Sequence, residues 1–260
     1  MKNIACIVIV LGSLFAVSAL GADPPAPRAN PIDPKADAVL KQMGEYLASA
    51  KRFSVTSYSM IDQSLDNGQK VQIARNQKVT VRRPDGITAT VAGDFDDVQF
   101  WYDGKQVTFL NVRANTYGVT DAPATLDATF DMLAEKYGLA IPLADLLFTD
   151  PYKTLIANVH SASYLGTGYV LDVKCHHLAF RQEGVDWQIW VEQGDKPLPR
   201  KVVITYKESA GHPQFIALLS DWNLAADAPD TQFAPKLPAD AKKVPFGPAA
   251  PTAGSAVPKK

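Results

Sequence analysis

Hydrophobic residues recur at every second position over most of this 260-residue chain and at every third or fourth in a few places only. The first helical stretch follows Asp33-Pro34, an N-cap side chain with proline at the first helical position. After it Val39, Leu40, Met43, Tyr46, Leu47 and Ala50 fall on one face, and Lys51 and Arg52 sit at the negative end of the dipole. From Phe53 to Val119 the period drops to two. Turn signals interrupt it at Asp66-Asn67-Gly68, Arg83-Pro84-Asp85-Gly86, Gly93-Asp94, Asp103-Gly104 and Arg113-Ala114-Asn115, which predicts about six strands in meander order. Helical spacing returns at Leu126, Phe130, Leu133 and Tyr137 and stops at Gly138. A second short helix is predicted over Pro142 to Phe148 and a third from Asp150-Pro151 to about Asn158. The segment holding these helices is too long for a plain loop and should pack on the sheet.

Strands resume with SASYLG and GYVLDVK and end near Leu224. Within them CHHLAFRQEGVDWQIWVE folds as a hairpin about Glu183-Gly184, with Phe180 opposite Trp187, Leu178 opposite Ile189 and His176 opposite Val191 on a nearly apolar face. The other face pairs Arg181 with Asp186 and His177 with Trp190. Each such pair contributes at most about 1 kcal/mol, so their agreement argues for the register more than for stability. One wet and one dry face make the sheet antiparallel. Between Val170 and Phe180 the apolar parity slips, which is read as a bulge near Lys174, the alternative being a strand covered on both faces.

A composition of 47% hydrophobic and 20% charged residues is that of an ordinary globular protein, here a single domain. A formal net charge of -1 leaves no electrostatic footprint for nucleic acid, and no Lys/Arg run suggests an anionic membrane surface. At the N-terminus Lys2, the apolar run Ile4 to Leu20 and the small residues before Asp23-Pro24-Pro25 read as a secretory signal peptide, cleaved after Gly21 or Ala22. Cys6 lies inside the apolar run, away from a lipidation position, so the exported chain is expected to keep no stable membrane span. The expected organisation is a signal peptide over 1–22, a flexible linker over 23–32, one domain over 33–246 and a disordered Pro/Ala-rich tail over 247–260. Cys175 is then the only cysteine of the mature chain, and no intramolecular disulfide can form.

Cys175-His176-His177 is the most metal-like phrase, but on a strand only Cys175 and His177 share a face, so at most two of the three reach one ion. A half-buried strand with a capped imidazole is the default reading. His160 and His212 lie in other elements. No G-x-S-x-G, H-E-x-x-H or Gly-rich phosphate loop occurs, and no cofactor is expected. Asp94, Asp96 and Asp97 form an acidic turn without the spaced oxygen ligands of a calcium loop, and are read as a solvated hairpin end. The aromatic residues Phe100, Trp101, Tyr102, Phe180, Trp187, Trp190 and Trp222 either fill a core or line a cavity.

The ending, with Trp187-Gln188-Ile189-Trp190, the Leu198-Pro199 corner, the strand Lys201 to Tyr206, Trp222-Asn223 and Phe233 to Pro238, resembles that of the periplasmic lipoprotein carriers. FWYDGKQVTF, the segment Pro142 to Leu147 and the Cys175 hairpin resemble more closely a family of predicted bacterial periplasmic proteins described by a domain of unknown function. The likeness covers roughly Asp33 to Phe246. It implies a periplasmic α+β fold, a curled antiparallel sheet or half-open β-barrel wrapped around a few helices, with an apolar cavity that takes acyl chains. It also implies a lid arginine, for which Arg75, Arg82 and Arg83 are candidates.

On that fold, alternating strand positions and helix stripes point Val55, Val91, Phe109, Phe130, Leu133, Leu147, Phe180, Ile189 and Ile204 into the cavity. The expected function is a non-catalytic carrier or binding protein for lipid, acyl chains or a lipoprotein. Two alternatives stay open: an envelope docking module with a filled core and an open sheet edge, and a metal-dependent or Cys-based hydrolase using the Cys175 to His177 strand.

Overall fold

The computed structural model describes residues 31–139 and 141–247. The expected signal peptide, nearly all of the linker and the tail beyond Gly247 lie outside these residues. Helix α1 (Pro34–Ser49) starts where the Asp33 carboxylate accepts hydrogen bonds from the Lys35 and Ala36 amides, with Pro34 in the first turn. Its buried stripe is Ala36, Leu40, Met43 and Leu47.

Six strands follow as an antiparallel meander: β1 (Arg52–Ser64), β2 (Lys70–Arg82), β3 (Gly86–Gly93), β4 (Asp97–Tyr102), β5 (Gln106–Asn111) and β6 (Thr116–Asp121). Helix α2 (Leu126–Tyr137), capped by Thr125 and ended by Gly138 in the left-handed region, precedes a 3-10 turn at Ala144–Leu146 and helix α3 (Pro151–Ile156). The second meander is β7 (Ser161–Val170), β8 (Val173–Arg181), β9 (Val185–Glu192), β10 (Pro199–Tyr206) and β11 (Gln214–Asn223), after which come α4 (Asp230–Phe233) and β12 (Lys242–Lys243).

Strand β11 returns to pair with β1, so the two meanders form one 12-stranded sheet in the order β12-β6-β5-β4-β3-β2-β1-β11-β10-β9-β8-β7. The sheet curls around the helices without closing, β7 and β12 being its two edges. It is antiparallel except for β12, which runs parallel to β6. Helix α1 packs on the half of the sheet around β7 to β10, and α2 packs on β1 to β5. Among the described residues no helix is long and apolar enough to cross a membrane.

The Cys175 hairpin adopts the expected register, with Phe180 opposite Trp187, Leu178 opposite Ile189 and His176 opposite Val191. Four expectations need correction. The predicted break between SASYLG and GYVLDVK is absent: β7 runs through, and the chain turns instead at Leu171-Asp172. The bulge lies in β7 between Tyr164 and Gly166, where Gly166 takes a φ of 109° that disfavours side chains, whereas β8 pairs with β9 without a shift. The parity slip comes instead from Cys175, buried on the outer face of β8 across from Glu192. The helix predicted over Pro142 to Phe148 shrinks to the 3-10 turn, and Ile32, assigned to the linker, forms a bridge with Ala162 of β7.

Helices α1 and α3 meet at Gly44, where an added Cβ would stand 2.6 Å from Tyr152 Cβ and 2.7 Å from its backbone nitrogen. Tyr152 also donates its hydroxyl to Asp37 at 2.7 Å. Since backbone must move to relieve the clash, Gly44→Ala is expected to destabilise the fold by about 2 kcal/mol or more in urea unfolding. Trp187 stacks on Phe180 with ring centroids 4.0 Å apart. Trp187→Ala should cost about 3–5 kcal/mol in the same measurement, and a loss under about 1 kcal/mol would place the ring outside the core.

Candidate functional site

The strand register lays the inner face of the first meander out in rows. Phe53, Val81, Ile87, Tyr102 and Val107 are successive cross-strand partners and form one row at the end of the sheet that carries the β2–β3 and β4–β5 turns. Leu126, Phe130 and Leu133 of α2 cover this row, and its five members are at most 4% exposed. The next row is Val55, Val79, Ala89, Phe100 and Phe109, and the one beyond is Ser57, Gln77, Val91 and Val98. Phe100, Phe109 and Val91 are half-buried there, Phe100 at the margin of the cluster that α2 covers.

These rows line a partly open cavity of about 310 Å³. Phe130 and the stretch Ile141 to Leu143 with Leu146 and Leu147 form its other wall. Charge enters at one side, where the Arg75 guanidinium donates to both oxygens of Asp96 at 3.0 and 2.8 Å. Gly93 makes room for this pair, since a Cβ there would lie 2.7 Å from Asp96 Oδ1 and 2.8 Å from Arg75 Cγ.

The acidic turn is therefore not merely solvated. Asp96 is held by Arg75, and the Asp94 carboxylate accepts from the Ala74 amide at 2.8 Å. Arg113 donates to Asp97 at 2.8 Å, which holds that carboxyl below its ordinary pKa, and to the Gly93 and Asp94 carbonyls.

A second cavity of about 190 Å³ lies over β9 and β10, where Val185, Trp187 and Ile189 stand opposite Tyr206, Ile204 and Val202. Pro142, Leu143 and Leu146 line both cavities. Leu143, at φ 67° and ψ 8°, occupies the left-handed region, which costs a leucine on the order of 1 kcal/mol. Its side chain packs in the cluster of Tyr206 and Phe215, with Ile204 and Val185 beside it.

Of the nine residues expected to share a cavity, Val55, Val91, Phe109, Phe130 and Leu147 line the larger one, and Ile189 and Ile204 line the smaller. Leu133 and Phe180 line neither: Leu133 is spent on the row that α2 covers, and Phe180 is buried among residues that include the α1 stripe. Leu143 and the pairing of Arg75 with Asp96 were missed. The one hint of the pair in the sequence was Gly93-Asp94, a turn that returns β4 alongside β3 and so brings Asp96 to the arginine of β2.

The three candidate lid arginines divide cleanly. Arg75 stands at the cavity rim, and Arg82 pairs with Asp85 and Asp230 above the Phe233 ring. Arg83 points under the helices, where its guanidinium donates to the carbonyls of Leu47 and Ala50 at 2.8 Å, Leu146 at 3.2 Å, Leu147 at 3.3 Å and Phe148 at 3.1 Å. Burial pushes its pKa down to about 10, so it stays charged at neutral pH, and the carbonyl acceptors favour that charge.

The Cys175 strand offers little chemistry. Burial raises the thiol to about 11, so it is not a thiolate at neutral pH. Burial also lowers both histidines. His177 is stacked on Trp190 at 3.9 Å and bonded to Gln188, while His176 meets the Tyr164 hydroxyl at 2.9 Å. Among the described residues no group of three His, Cys, Asp or Glu is placed to hold a metal ion.

No curated protein matches this chain. Solved structures do. An uncharacterized conserved protein from Thermus thermophilus is 10% identical over 82% of this chain and 99% of its own, with a TM-score of 0.48. Lipoprotein LppX of Mycobacterium tuberculosis is 11% identical over 75% of this chain and 98% of its own, with a TM-score of 0.43. A LolA superfamily protein from Nitrosomonas europaea is 10% identical over 77% of this chain and 97% of its own, with a TM-score of 0.42. The family model for DUF2092, described as a predicted periplasmic protein, matches residues 36–247, a span that includes nearly every described residue of the sheet and helices; the chain belongs to that family of predicted periplasmic proteins.

Proposed function

We propose that this protein is a non-catalytic periplasmic binding protein or carrier for lipid or acyl chains. The observation that carries the reading is the apolar row Val79, Ala89, Phe100 and Phe109, with Val91 beyond it, which α2 leaves only partly covered on the inner face of β2 to β5. Burying such surface is favourable by roughly 25 cal/mol per Å², so an uncovered concave apolar face is a standing site for an apolar ligand. The cavity of about 310 Å³ is at the lower bound of ordinary ligand pockets, and its charged groups are confined to the rim, as an amphipathic guest requires.

The wall over the cavity supports the same reading. Among the described residues between Gly138 and Pro151 it holds one 3-10 turn, and Arg83 ties that turn to the end of α1. Arg83 is thus our assignment for the lid arginine that the likeness to the lipoprotein carriers implies. A docking role remains the second reading, favoured by the exposed Leu165, Tyr169 and Leu171 along and beyond the β7 edge, where an envelope protein would add a strand.

An environment-sensitive fluorescent fatty acid titrated into the protein should show saturable uptake. Val91→Trp, which fills the larger cavity from a half-buried position, should abolish most of it while circular dichroism stays unchanged. No saturable signal from the wild type would hand the function to the docking reading.

Arg83→Met should lose about 3 kcal/mol of stability, because several carbonyls lose a charged donor together. It should also speed amide hydrogen exchange in the wall at residues 144–149. Unchanged exchange there would show that Arg83 does not hold the wall.

A further inference from the structure

We infer that Leu143 divides one ligand site into two acyl-chain compartments, so that the protein takes a two-chain lipid whose chains straddle this residue. The inference rests on the binding role proposed above and names the class of ligand. Its basis is the relation between the two cavities. They are neighbours that share Pro142, Leu143 and Leu146 as a common wall. Under that wall Leu143 is seated in the cluster of Phe215, which lines the larger cavity, and Tyr206 and Ile204, which line the smaller.

Both cavities also reach towards the same end of the sheet. In the antiparallel order, the β3–β4 turn beside the larger and the β8–β9 turn beside the smaller lie at one end, opposite the row that α2 covers. Polar residues mark that end in each: Arg75 and Asp96 in the larger, Gln182 in the smaller. A lipid with its polar junction at this end can send one chain down each side of Leu143, which a single chain cannot do.

Size and lining point the same way. About 190 Å³ is below the range of an independent ligand pocket; Val185, Ile189, Val202 and Ile204 give it an aliphatic floor on the sheet that suits part of a second chain, while Asp145, Thr154 and Asn158 line it from the helical side. Within that shared wall Leu143 stands between Pro142 and the tight turn Ala144–Leu146, on a left-handed backbone.

The test displaces the bound fluorescent fatty acid with phosphatidylglycerol or with its one-chain lyso form, which share a headgroup. The two-chain lipid should act at concentrations about tenfold lower or less, since two additional buried methylenes already supply that factor. Ile204→Trp, filling the smaller compartment, should erase the advantage, so that the two lipids displace the probe with equal potency. Val185→Trp, on the half-buried side of the same compartment, should do the same and serves if the first variant does not fold. Leu143→Gly, which the left-handed backbone accepts, should narrow the advantage by letting one long chain enter both compartments.

Equal potency of the two lipids on the wild type overturns the inference while leaving the binding role intact. So does an advantage that survives both tryptophan variants. Failure of the wild type to bind the fluorescent fatty acid at all sinks the binding role, and this inference with it.

Discussion

Arg83 carries a charge into the interior, where backbone carbonyls replace the water it has lost and the Asp127 carboxylate supplies an opposite charge. Those carbonyls belong to the end of α1 and to the wall after α2, while the arginine itself directly follows β2. Three parts that share no continuous chain are thereby fixed to one planar fork. The anchoring point sits at the end of the sheet where α2 covers its row, so the helices are held there and the inner face stays uncovered towards the opposite end.

The pairing of β11 with β1 sets the other boundary condition. Without it the two meanders would be separate sheets, one with α2 on its inner face and the other with α1 and α3. Joined, they share a concave surface on which the stretch from Ile141 to Leu147 rests near the seam, with one cavity over each meander. Trp222 and Leu224, at and just past the end of β11, pack against both helical clusters and keep the halves in register.

Much of this was legible in the sequence because it is local. Asp33-Pro34, the six-strand meander and the Cys175 hairpin depend on caps, turns and cross-strand pairs within a few residues, and all three stand as read. Strand parity also survived, which is why Val55, Val91 and Phe109 point inward. What was not legible was coverage. Whether an inward residue meets a helix or a void depends on where α2 and α1 settle, so Leu133 and Phe180, correct in direction, are buried by neighbours. SASYLG and GYVLDVK read as two segments, but the chain uses Gly166 for a bulge inside one continuous strand. The stretch Pro142 to Phe148 has helical composition, yet Leu143 takes a left-handed conformation and Arg83 claims the carbonyls at 146–148, so it makes one tight turn.

The unclosed sheet bears on capacity. In a closed barrel, strand number and shear fix the radius, and a larger guest requires breaking the ring of hydrogen bonds. Here β7 and β12 are not bonded to each other, so the radius of curvature is not locked by any ladder. The sheet can flatten or tighten by small changes of twist spread over its length, with every existing strand pair kept. Interior volume is then an adjustable property of the scaffold rather than a constant of its topology.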